Sequence, residues 1–434
     1  MSGMFSRRVV VTGLGAVTPI GTDTATFWDG LIEGRSGAGP ITAFEVTGCR
    51  PSYAAEVKGF TPDTAGVPKK RLKMMGRQAQ LAFAAVGQAW ADAGLAAAGL
   101  PPSRIGLILG VGMLNADVTE LGRAFHATAR AAGPTTAFDE VAFCRAGGPE
   151  LFPLWLLRHI PNLSAAHASI ALDAQGPSNT IATGCVAAAN AVGEAVRLVA
   201  RGEADVVLAG GTDARVSPLA TLRYRDLGWL STRDDVAPEA VSAPFDQEAS
   251  GFVSGEGSGV LAIESLEHAQ NRRAGIYAEI LGYAAANDGA DLLMPDRDGI
   301  ALERATWRCL ERSGVTERDI DVVFAPAPAV PALDRATAAA LTRVFGDRRG
   351  GAAVTATRSL LGHTHAASAA LDCVAAIKAI NDSRIPATAN LRHPIADLRF
   401  VTGDACRASV NKALVAAYGF GGHAASLALS RYEA

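Results

Sequence analysis

Residues 176–194 read GPSNTIATGCVAAANAVGE, which predicts a short buried strand, a sharp turn at Gly184 and an alanine-rich helix. The turn would deliver Cys185 to the first turn of that helix. Unpaired N–H groups and the positive dipole end at a helix N-terminus stabilise a thiolate and can hold the oxyanion of an acyl adduct. Cys185 is therefore a candidate nucleophile that could carry an acyl chain as a thioester. The alternative is a small buried apolar side chain, a common place for free cysteine.

The composition is that of a glycine- and alanine-rich α/β enzyme, with 434 residues, 49% hydrophobic and 19% charged, including 46 Gly. The formal net charge of -3 gives no reason to expect a nucleic acid partner. The cysteines are scattered without a C-x-x-C pair, which suggests neither disulfides nor a metal site, and a reducing cytoplasm fits best. Without a signal peptide or an apolar run of about 18 residues, we expect a soluble, unsecreted protein with no membrane partner.

Apolar β-branched runs alternate along the chain with helical patterns, which predicts mostly parallel sheets covered by helices. Gly13 and Gly15 follow the first run as in a dinucleotide-binding turn, but Thr18 occupies a position that needs Gly or Ala for close packing. Residues 111–165 are the least regular and are predicted to form a cap over the site. The predicted strands lie at 8–12, 105–110, 206–209, 259–263, 320–324 and 412–417, and the predicted helices at about 70–98, 186–202, 299–314, 334–345 and 366–381.

Two downstream motifs also carry chemistry. In TATRSLLGHTH at 355–365, His363 lies in a turn before a helix, where a neutral imidazole could donate to a thioester or enolate oxygen or take up a proton. A satisfied loop histidine is the alternative. In YGFGGH at 418–423, the glycines permit close approach to a ligand, and Phe420 is either a movable plug over the cysteine or an ordinary core aromatic.

Together these motifs resemble the β-ketoacyl synthases of the thiolase superfamily, in particular the ketosynthase and chain-length-factor subunits of type II polyketide and fatty acid synthases. The resemblance implies an α/β, five-layered α-β-α-β-α thiolase-like fold with internal duplication. An N-terminal half over 1–264 would carry Cys185 and the cap at about 111–165, and a C-terminal half over 265–434 would carry His363 and the Gly419–Gly422 loop. The matching segments are RVVVTGLG at 8–15, GPS at 176–178, TGC at 183–185, FD at 245–246, GFVSGEG at 251–257, GH at 362–363 and GFGG at 419–422.

The resemblance also implies a chemistry and partners. Acyl chains would arrive on the phosphopantetheine of an acyl carrier protein, move to Cys185, and be extended by the carbanion formed when malonyl carrier protein loses carbon dioxide. No cofactor bound by the chain and no metal are implied. Phe420 and Gly421 would form the gating and oxyanion loop, and Glu256 is a candidate auxiliary residue. The chain would form a homodimer, or a heterodimer with a catalytic ketosynthase.

Three departures from the family pattern weaken the case for an ordinary condensing site. Pro326 stands where the first catalytic histidine is expected, and proline has no side-chain donor for an enolate. Losing one such donor typically costs about 10²–10³ in rate. Arg358, a candidate auxiliary residue, replaces a lysine, and Ala249-Ser250 replaces an Arg-Asp pair.

These departures favour a first hypothesis, in which the chain is a chain-length-factor-type partner with impaired decarboxylative condensation. Chain-length factors usually replace the nucleophile, so Cys185 favours the alternative, an active acyltransferase of the β-ketoacyl carrier protein synthase type. His423 could fill the place left at Pro326, or simply pack under the sheet. His365 is a poorer candidate, because two residues after His363 a helix or strand would direct its side chain elsewhere.

A group of cations near the predicted helix at 70–98 could dock an acidic carrier protein and its phosphate. A solvated charged face is the alternative. These cations are Lys69, Lys70, Arg71 and Lys73, followed by Arg77.

Overall fold

The structure is a computed structural model that describes residues 7–48, 50–62, 66–67, 69–113, 118–133, 137–346 and 351–433. Its strands are β1 (Val9–Val17), β2 (Ala38–Pro40), β3 (Tyr53–Ala55), β4 (Ile105–Val111), β5 (Ser178–Ile181), β6 (Val206–Ala214), β7 (Glu256–Ser265), β8 (Ala278–Asn287), β9 (Val322–Phe324), β10 (Ala353–Thr355), β11 (Arg384–Ile385), β12 (Cys406–Arg407), β13 (Lys412–Tyr418) and β14 (His423–Ser430).

The helices are α1 (Thr24–Ile32), α2 (Lys69–Leu72), α3 (Arg77–Asp92), α4 (Val118–Ala132), α5 (Glu140–Ala142), α6 (Leu163–Leu172), α7 (Ala187–Ala200), α8 (Pro218–Asp226), α9 (Leu266–Asn271), α10 (Ile300–Ser313), α11 (Pro331–Phe345), α12 (Arg358–Leu361) and α13 (Ser368–Asp382). No helix in this part of the chain is both long and apolar enough to span a bilayer.

Ten strands form a continuous ladder in the order β10-β9-β13-β14-β8-β1-β7-β6-β4-β5. Each half contributes five of them, and within each half the strands run in the same order, third-second-fourth-fifth-first, from the outer edge to the centre. The halves meet where β1 and β8 pair antiparallel, with Val10 opposite Glu279 and Val11 opposite Ala278. This repeated order is the internal duplication expected from the sequence, while a domain boundary at residue 264 stays a prediction.

The prediction of mostly parallel sheets is wrong. Pairs β4–β5, β4–β6, β9–β10 and β9–β13 are parallel, whereas β1–β7, β1–β8, β6–β7, β8–β14 and β13–β14 are antiparallel. The glycine turn at 419–422 shows one reason, since parallel strands need a long crossover and a tight turn joins only antiparallel strands.

Helices α7 and α13 lie in the centre of the molecule and pack against each other. Both are buried on nearly every side and rich in alanine, as expected for interior helices. Each begins with a 3₁₀ turn, Gly184–Val186 before α7 and His365–Ala367 before α13, and these two turns are in contact. The duplicated fold therefore brings two equivalent helix entrances together.

The strand β5 occupies one edge of the ladder, with β4 as its neighbour on one side. Its side chains are exposed or half-buried, so the prediction of a buried strand at this position is wrong for the single chain. Residues 111–165 are more regular than predicted, because they contain the 15-residue helix α4. Near α4, the rings of Phe125, Phe138 and Phe143 form a cluster with centroids 5.6–6.2 Å apart, and the first two are exposed.

Candidate active site

Cys185 lies where the sequence predicts it, in the turn that opens α7. Gly184 has φ +59°, a left-handed conformation that glycine adopts without strain. The chain reverses there and places Cys185 in the 3₁₀ turn before Ala187. The cysteine is 6% exposed, so the thiol faces an enclosed space rather than solvent.

His363 is a side-chain hydrogen-bond partner of this thiol. Its Nε2 lies 3.2 Å from the Cys185 Sγ. The histidine backbone is fixed on both sides, because its N–H donates to the Val253 carbonyl at 2.8 Å and its carbonyl accepts from the Gly255 N–H at 2.9 Å. The GFVSGEG segment thus aligns the imidazole with the cysteine.

Burial sets the protonation state of this pair. Burial raises the pKa of the Cys185 thiol to about 11, although the Arg358 charge and the Phe420 backbone N–H act in the opposite direction. Burial, reinforced by the Arg358 charge, holds the pKa of His363 well below its ordinary value. A neutral thiol therefore faces a neutral imidazole at pH 7. The expectation that the helix entrance stabilises a thiolate is wrong for the free chain, because burial disfavours the charged form of the thiol.

The C-terminal glycine turn lies directly against the cysteine. A Cβ on Gly419 would be 2.9 Å from the Cys185 Cβ, so only glycine fits without a shift. The backbone N–H of Phe420 forms a hydrogen bond with Cys185. The Phe420 ring is half-buried and stacks on the Trp229 ring. Gly421 has φ +77° and its carbonyl accepts a hydrogen bond of 2.8 Å from the Asn287 amide.

Arg358 holds in place a buried segment near the Cys185 thiol. Its guanidinium forms an ion pair of 2.9 Å with Asp372, and the two side chains are 3% and 1% exposed. The same guanidinium donates to the Ala325 carbonyl at 3.1 Å, which ties it to the buried segment that contains Pro326. Arg358 therefore braces this segment and places a positive charge close enough to lower the pKa of the thiol.

His365 belongs to the cluster, so the prediction that its side chain points elsewhere is wrong. Its ring centroid lies 4.2 Å from that of His363. Ligand atoms of Cys185, His363 and His365 all lie within 4.8 Å of one another, and among the described residues these three form a group that could hold a metal ion. Although His365 opens the 3₁₀ turn, its φ of +47° is a left-handed value that regular helices and strands do not use, so their side-chain periodicity does not apply to it.

Other predicted residues lie outside this cluster. His423 is exposed at the start of β14, where its Nδ1 is 3.3 Å from the Asn287 amide, so it is not brought into the buried group. Glu256 is buried elsewhere, in an ion pair of 2.9 Å with Arg77, and it accepts from the Val57 N–H at 3.0 Å. This pair lines a cavity of about 820 Å³ that does not include Cys185.

The predicted docking cations at 69–73 do not line that cavity, although Leu72 of α2 does. Lys69, Lys70 and Lys73 are exposed on or just after α2. Arg71 donates to the His167 carbonyl at 3.3 Å, so it is partly engaged within the chain. Docking by these residues stays a prediction.

Comparison with known proteins identifies the architecture. One family model, "Beta-ketoacyl synthase, N-terminal domain", matches residues 6–269, and a second, "Beta-ketoacyl synthase, C-terminal domain", matches residues 277–392. The chain belongs to the β-ketoacyl synthase family. Its fold is accordingly the thiolase-like ketosynthase fold implied by the sequence motifs.

Full-length relatives agree with this assignment. The chain is 36% identical to a 3-oxoacyl-[acyl-carrier-protein] synthase 2 from Synechocystis sp. over 100% of both chains. It is 33% identical to a protein of the same name from Coxiella burnetii over 99% of both chains. The chain is thus a ketosynthase-family member of the type found in type II fatty acid and polyketide synthases.

Solved structures of this family superpose closely. The ishigamide ketosynthase/chain length factor matches with a TM-score of 0.86 and 32% identity, covering 99% of this chain and 100% of that one. A β-ketoacyl synthase from Burkholderia phymatum matches with a TM-score of 0.85 and 28% identity, covering 98% and 100%.

Proposed function

We propose that the chain is an active acyltransferase of the β-ketoacyl carrier protein synthase type, which carries the acyl chain on Cys185. The observation that supports this most is the distance of 3.2 Å between the Cys185 Sγ and the His363 Nε2 inside an enclosed site. The order of the two hypotheses from the sequence is therefore reversed. A partner subunit would need neither an aligned base nor a glycine turn fitted against a thiol.

The first half-reaction uses groups that are already in place. The Cys185 S–H proton passes to the His363 Nε2 while the sulfur attacks the carbonyl carbon of the incoming thioester. The Phe420 N–H, which contacts the sulfur in the free chain, and the Cys185 N–H at the helix entrance would hold the oxyanion. The C–S bond to the carrier then breaks, and the departing phosphopantetheine sulfur takes the proton back from His363.

A neutral pair suits this step better than a preformed ion pair. Because burial raises the pKa of Cys185 and lowers that of His363, the resting site holds no exposed thiolate. Proton transfer is then coupled to the attack on the carbonyl, as in general base catalysis. The cysteine therefore stays in its less nucleophilic thiol form until a thioester enters the site.

The substrate would be presented on an acyl carrier protein. The name of the Synechocystis relative includes an acyl carrier protein, and one solved relative of 26% identity is described as a type II acyl carrier protein in complex with its ketosynthase. Lys69 and Lys70 on α2 give a positive surface for such an acidic partner. The chain itself would bind no cofactor, since phosphopantetheine arrives with the carrier.

Dimer formation is supported by the uncovered side of β5. In the part of the chain that the structure describes, β5 has a strand neighbour on one side only, and an open strand edge is a site at which another chain can pair. The exposed phenylalanines Phe125 and Phe138 add apolar surface in the cap. Either a second copy of this chain or a separate ketosynthase could cover the edge of β5. One solved relative is described as a ketosynthase/chain length factor.

Intact mass spectrometry after incubation with acyl carrier protein tests this function. We expect the chain to gain one acyl group, the Cys185→Ala variant to gain none, and the Cys144→Ala variant, which changes an exposed cysteine, to behave as the wild type. An unlabelled wild-type chain that restores product only when mixed with a separate ketosynthase would instead support the partner-subunit hypothesis, which Pro326 favours.

A further inference from the structure

The second half-reaction is the condensation of the acyl group on Cys185 with malonyl carrier protein. The segment after β9 offers no side-chain hydrogen-bond donor at Pro326 for the enolate that this step forms. Pro326 offers no hydrogen bond from its side chain, and it lies in a buried stretch that the Arg358 guanidinium binds through the Ala325 carbonyl. Decarboxylation of a malonyl thioester places negative charge on the thioester oxygen, which needs a donor in a dry site. One imidazole, His363, already serves Cys185.

His365 is an imidazole held beside His363, with ring centroids 4.2 Å apart. Its ring stacks on Tyr224 with centroids 5.0 Å apart and planes at 13°. The same ring packs edge-to-face against the Phe252 ring, with centroids 5.3 Å apart and planes at 87°. With φ +47° at its own backbone, the residue is held in a conformation that is uncommon for histidine. Aromatic packing thus fixes the ring direction beside His363.

The Nε2 of His365 is buried and has no hydrogen-bond partner within the described chain. Buried polar atoms are nearly always paired, so an orphan of this kind at a reaction centre points to a missing ligand. Burial, with smaller effects from His363, Arg215 and Arg358, holds the pKa of His365 well below its ordinary value. The ring is therefore neutral and can offer one N–H without carrying a charge.

We propose that His365 donates a hydrogen bond to the carbonyl oxygen of a malonyl thioester and so replaces the donor that Pro326 lacks. This role rests on the proposed function, since it presupposes an acyl group on Cys185. It reverses the expectation of impaired decarboxylation drawn from Pro326 alone.

The reaction then balances without further reagents. The bond between the malonyl carboxylate and the α-carbon breaks, carbon dioxide leaves, and the electron pair forms an enolate whose oxygen is held by His365. The enolate carbon forms a bond to the acyl carbon on Cys185 while the C–S bond breaks. The cysteine leaves as a thiolate and takes up one proton from solvent, which restores the thiol.

Two variants of His365 test the proposal. Glycine removes the ring and asparagine keeps an N–H donor, and both residues tolerate a positive φ. We expect His365→Gly to slow carbon dioxide release from malonyl carrier protein by about 10²–10³-fold, the usual loss for one preorganised donor. The loss in the rate of Cys185 acylation, measured by intact mass, should be clearly smaller than the loss in carbon dioxide release, and His365→Asn should recover part of the release.

Three outcomes would overturn the role of His365. These are wild-type release in His365→Gly, no release from an acylated wild-type chain, and an equal loss of acylation and release in both variants, which would indicate a structural role. Failure of the wild-type chain to be acylated would contradict the proposed function itself, so the two failures are distinguishable.

Discussion

The rings of Trp229 and Phe420 stack face to face, with centroids 3.6 Å apart and planes at 7°. Because the Phe420 backbone N–H contacts Cys185, we expect this stack to hold in place the proposed oxyanion donor and to limit access to the thiol. We expect Trp229→Ala to slow acylation of Cys185 by up to about 10²-fold, the lower range for losing such a donor. The same change should speed alkylation of Cys185 by iodoacetamide, because the cover loosens.

Trp307→Ala is the matched control, since it removes an exposed tryptophan from α10. It should change neither rate. If Trp229→Ala left alkylation and acylation as in the wild type, the stack would not control access to the thiol.

Gly419 contacts Cys185 so closely that an added methyl group should disturb the site. With φ −156° the backbone accepts any residue, so the effect of Gly419→Ala is steric, through a Cβ only 2.9 Å from the Cys185 Cβ. A displacement of about 1 Å can cost about 10²-fold in rate, and we expect a loss of that order in acylation. Gly87→Ala, where no atom lies within 4 Å of the new Cβ, is the control and should stay fully active.

The raised pKa of Cys185 predicts an unusual alkylation profile. Burial raises this pKa from 9.0 to about 11, so the thiolate fraction near pH 8 should be about 100-fold below that of an unshifted thiol. The rate of modification by iodoacetamide should therefore keep rising to about pH 11. Peptide mass spectrometry, with Cys185→Ala as the background, measures this rate. A plateau near pH 9 would contradict the dominance of burial.

The buried pair Arg358–Asp372 should be essential for stability. Arg358→Met leaves the Asp372 carboxylate buried without its ion pair, which typically costs about 3–5 kcal/mol. Adding Asp372→Asn removes the stranded charge and keeps an acceptor for the Thr357 hydroxyl, so the double variant should recover part of the loss. Denaturant titration measures both free energies of unfolding.

A surface pair provides the comparison for that experiment. Arg201 and Glu203 lie 3.3 Å apart but are both exposed, so Arg201→Met should cost about 1 kcal/mol or less. Equal stabilities of Arg358→Met and the wild type would show that the buried pair does not brace the segment around Pro326.

The exposed lysines on α2 should control the encounter with the carrier protein. Reversing Lys69 and Lys70 to glutamate should slow acylation by acyl carrier protein at low salt, and the difference should shrink as salt screens the charges. Acylation by a small acyl-pantetheine thioester should not change. Reversal of Arg304 and Arg308, which are exposed on α10, is the charge-matched control, and an equal effect there would contradict docking at α2.

The sequence predicted the strands whose side chains are apolar and branched, such as β4 and β6, because that composition suits a buried strand. It missed β8 and β14, which read AEILGYAAAN and HAASLALS. Their small side chains have little strand preference of their own, and the two strands form because they pair with each other over eight positions. The sequence also failed to predict which strands pair antiparallel. That direction depends on how loops and crossovers join the strands, and the composition of a strand does not show this.

The candidate site was predictable where short motifs fix the backbone, as at Gly184 and at the glycine turn beside Cys185. His365 was missed because its direction depends on one left-handed residue in a turn, and no periodicity describes such a residue. The GHTH spacing was the available signal. His423 drew attention through its position after the glycine turn, yet β14 begins there and carries the ring to the surface.

The two contacting 3₁₀ turns have a consequence for the proposed active site. The proposed nucleophile, Cys185, comes from the entrance of α7 in one repeat, and the imidazoles of His363 and His365 come from the entrance of α13 in the other. Severing the chain between β7 and β8 would thus leave one fragment with a sulfur and no base and another with bases and no sulfur. If the proposed function holds, catalytic turnover requires that the two repeats have docked, so it would report their assembly.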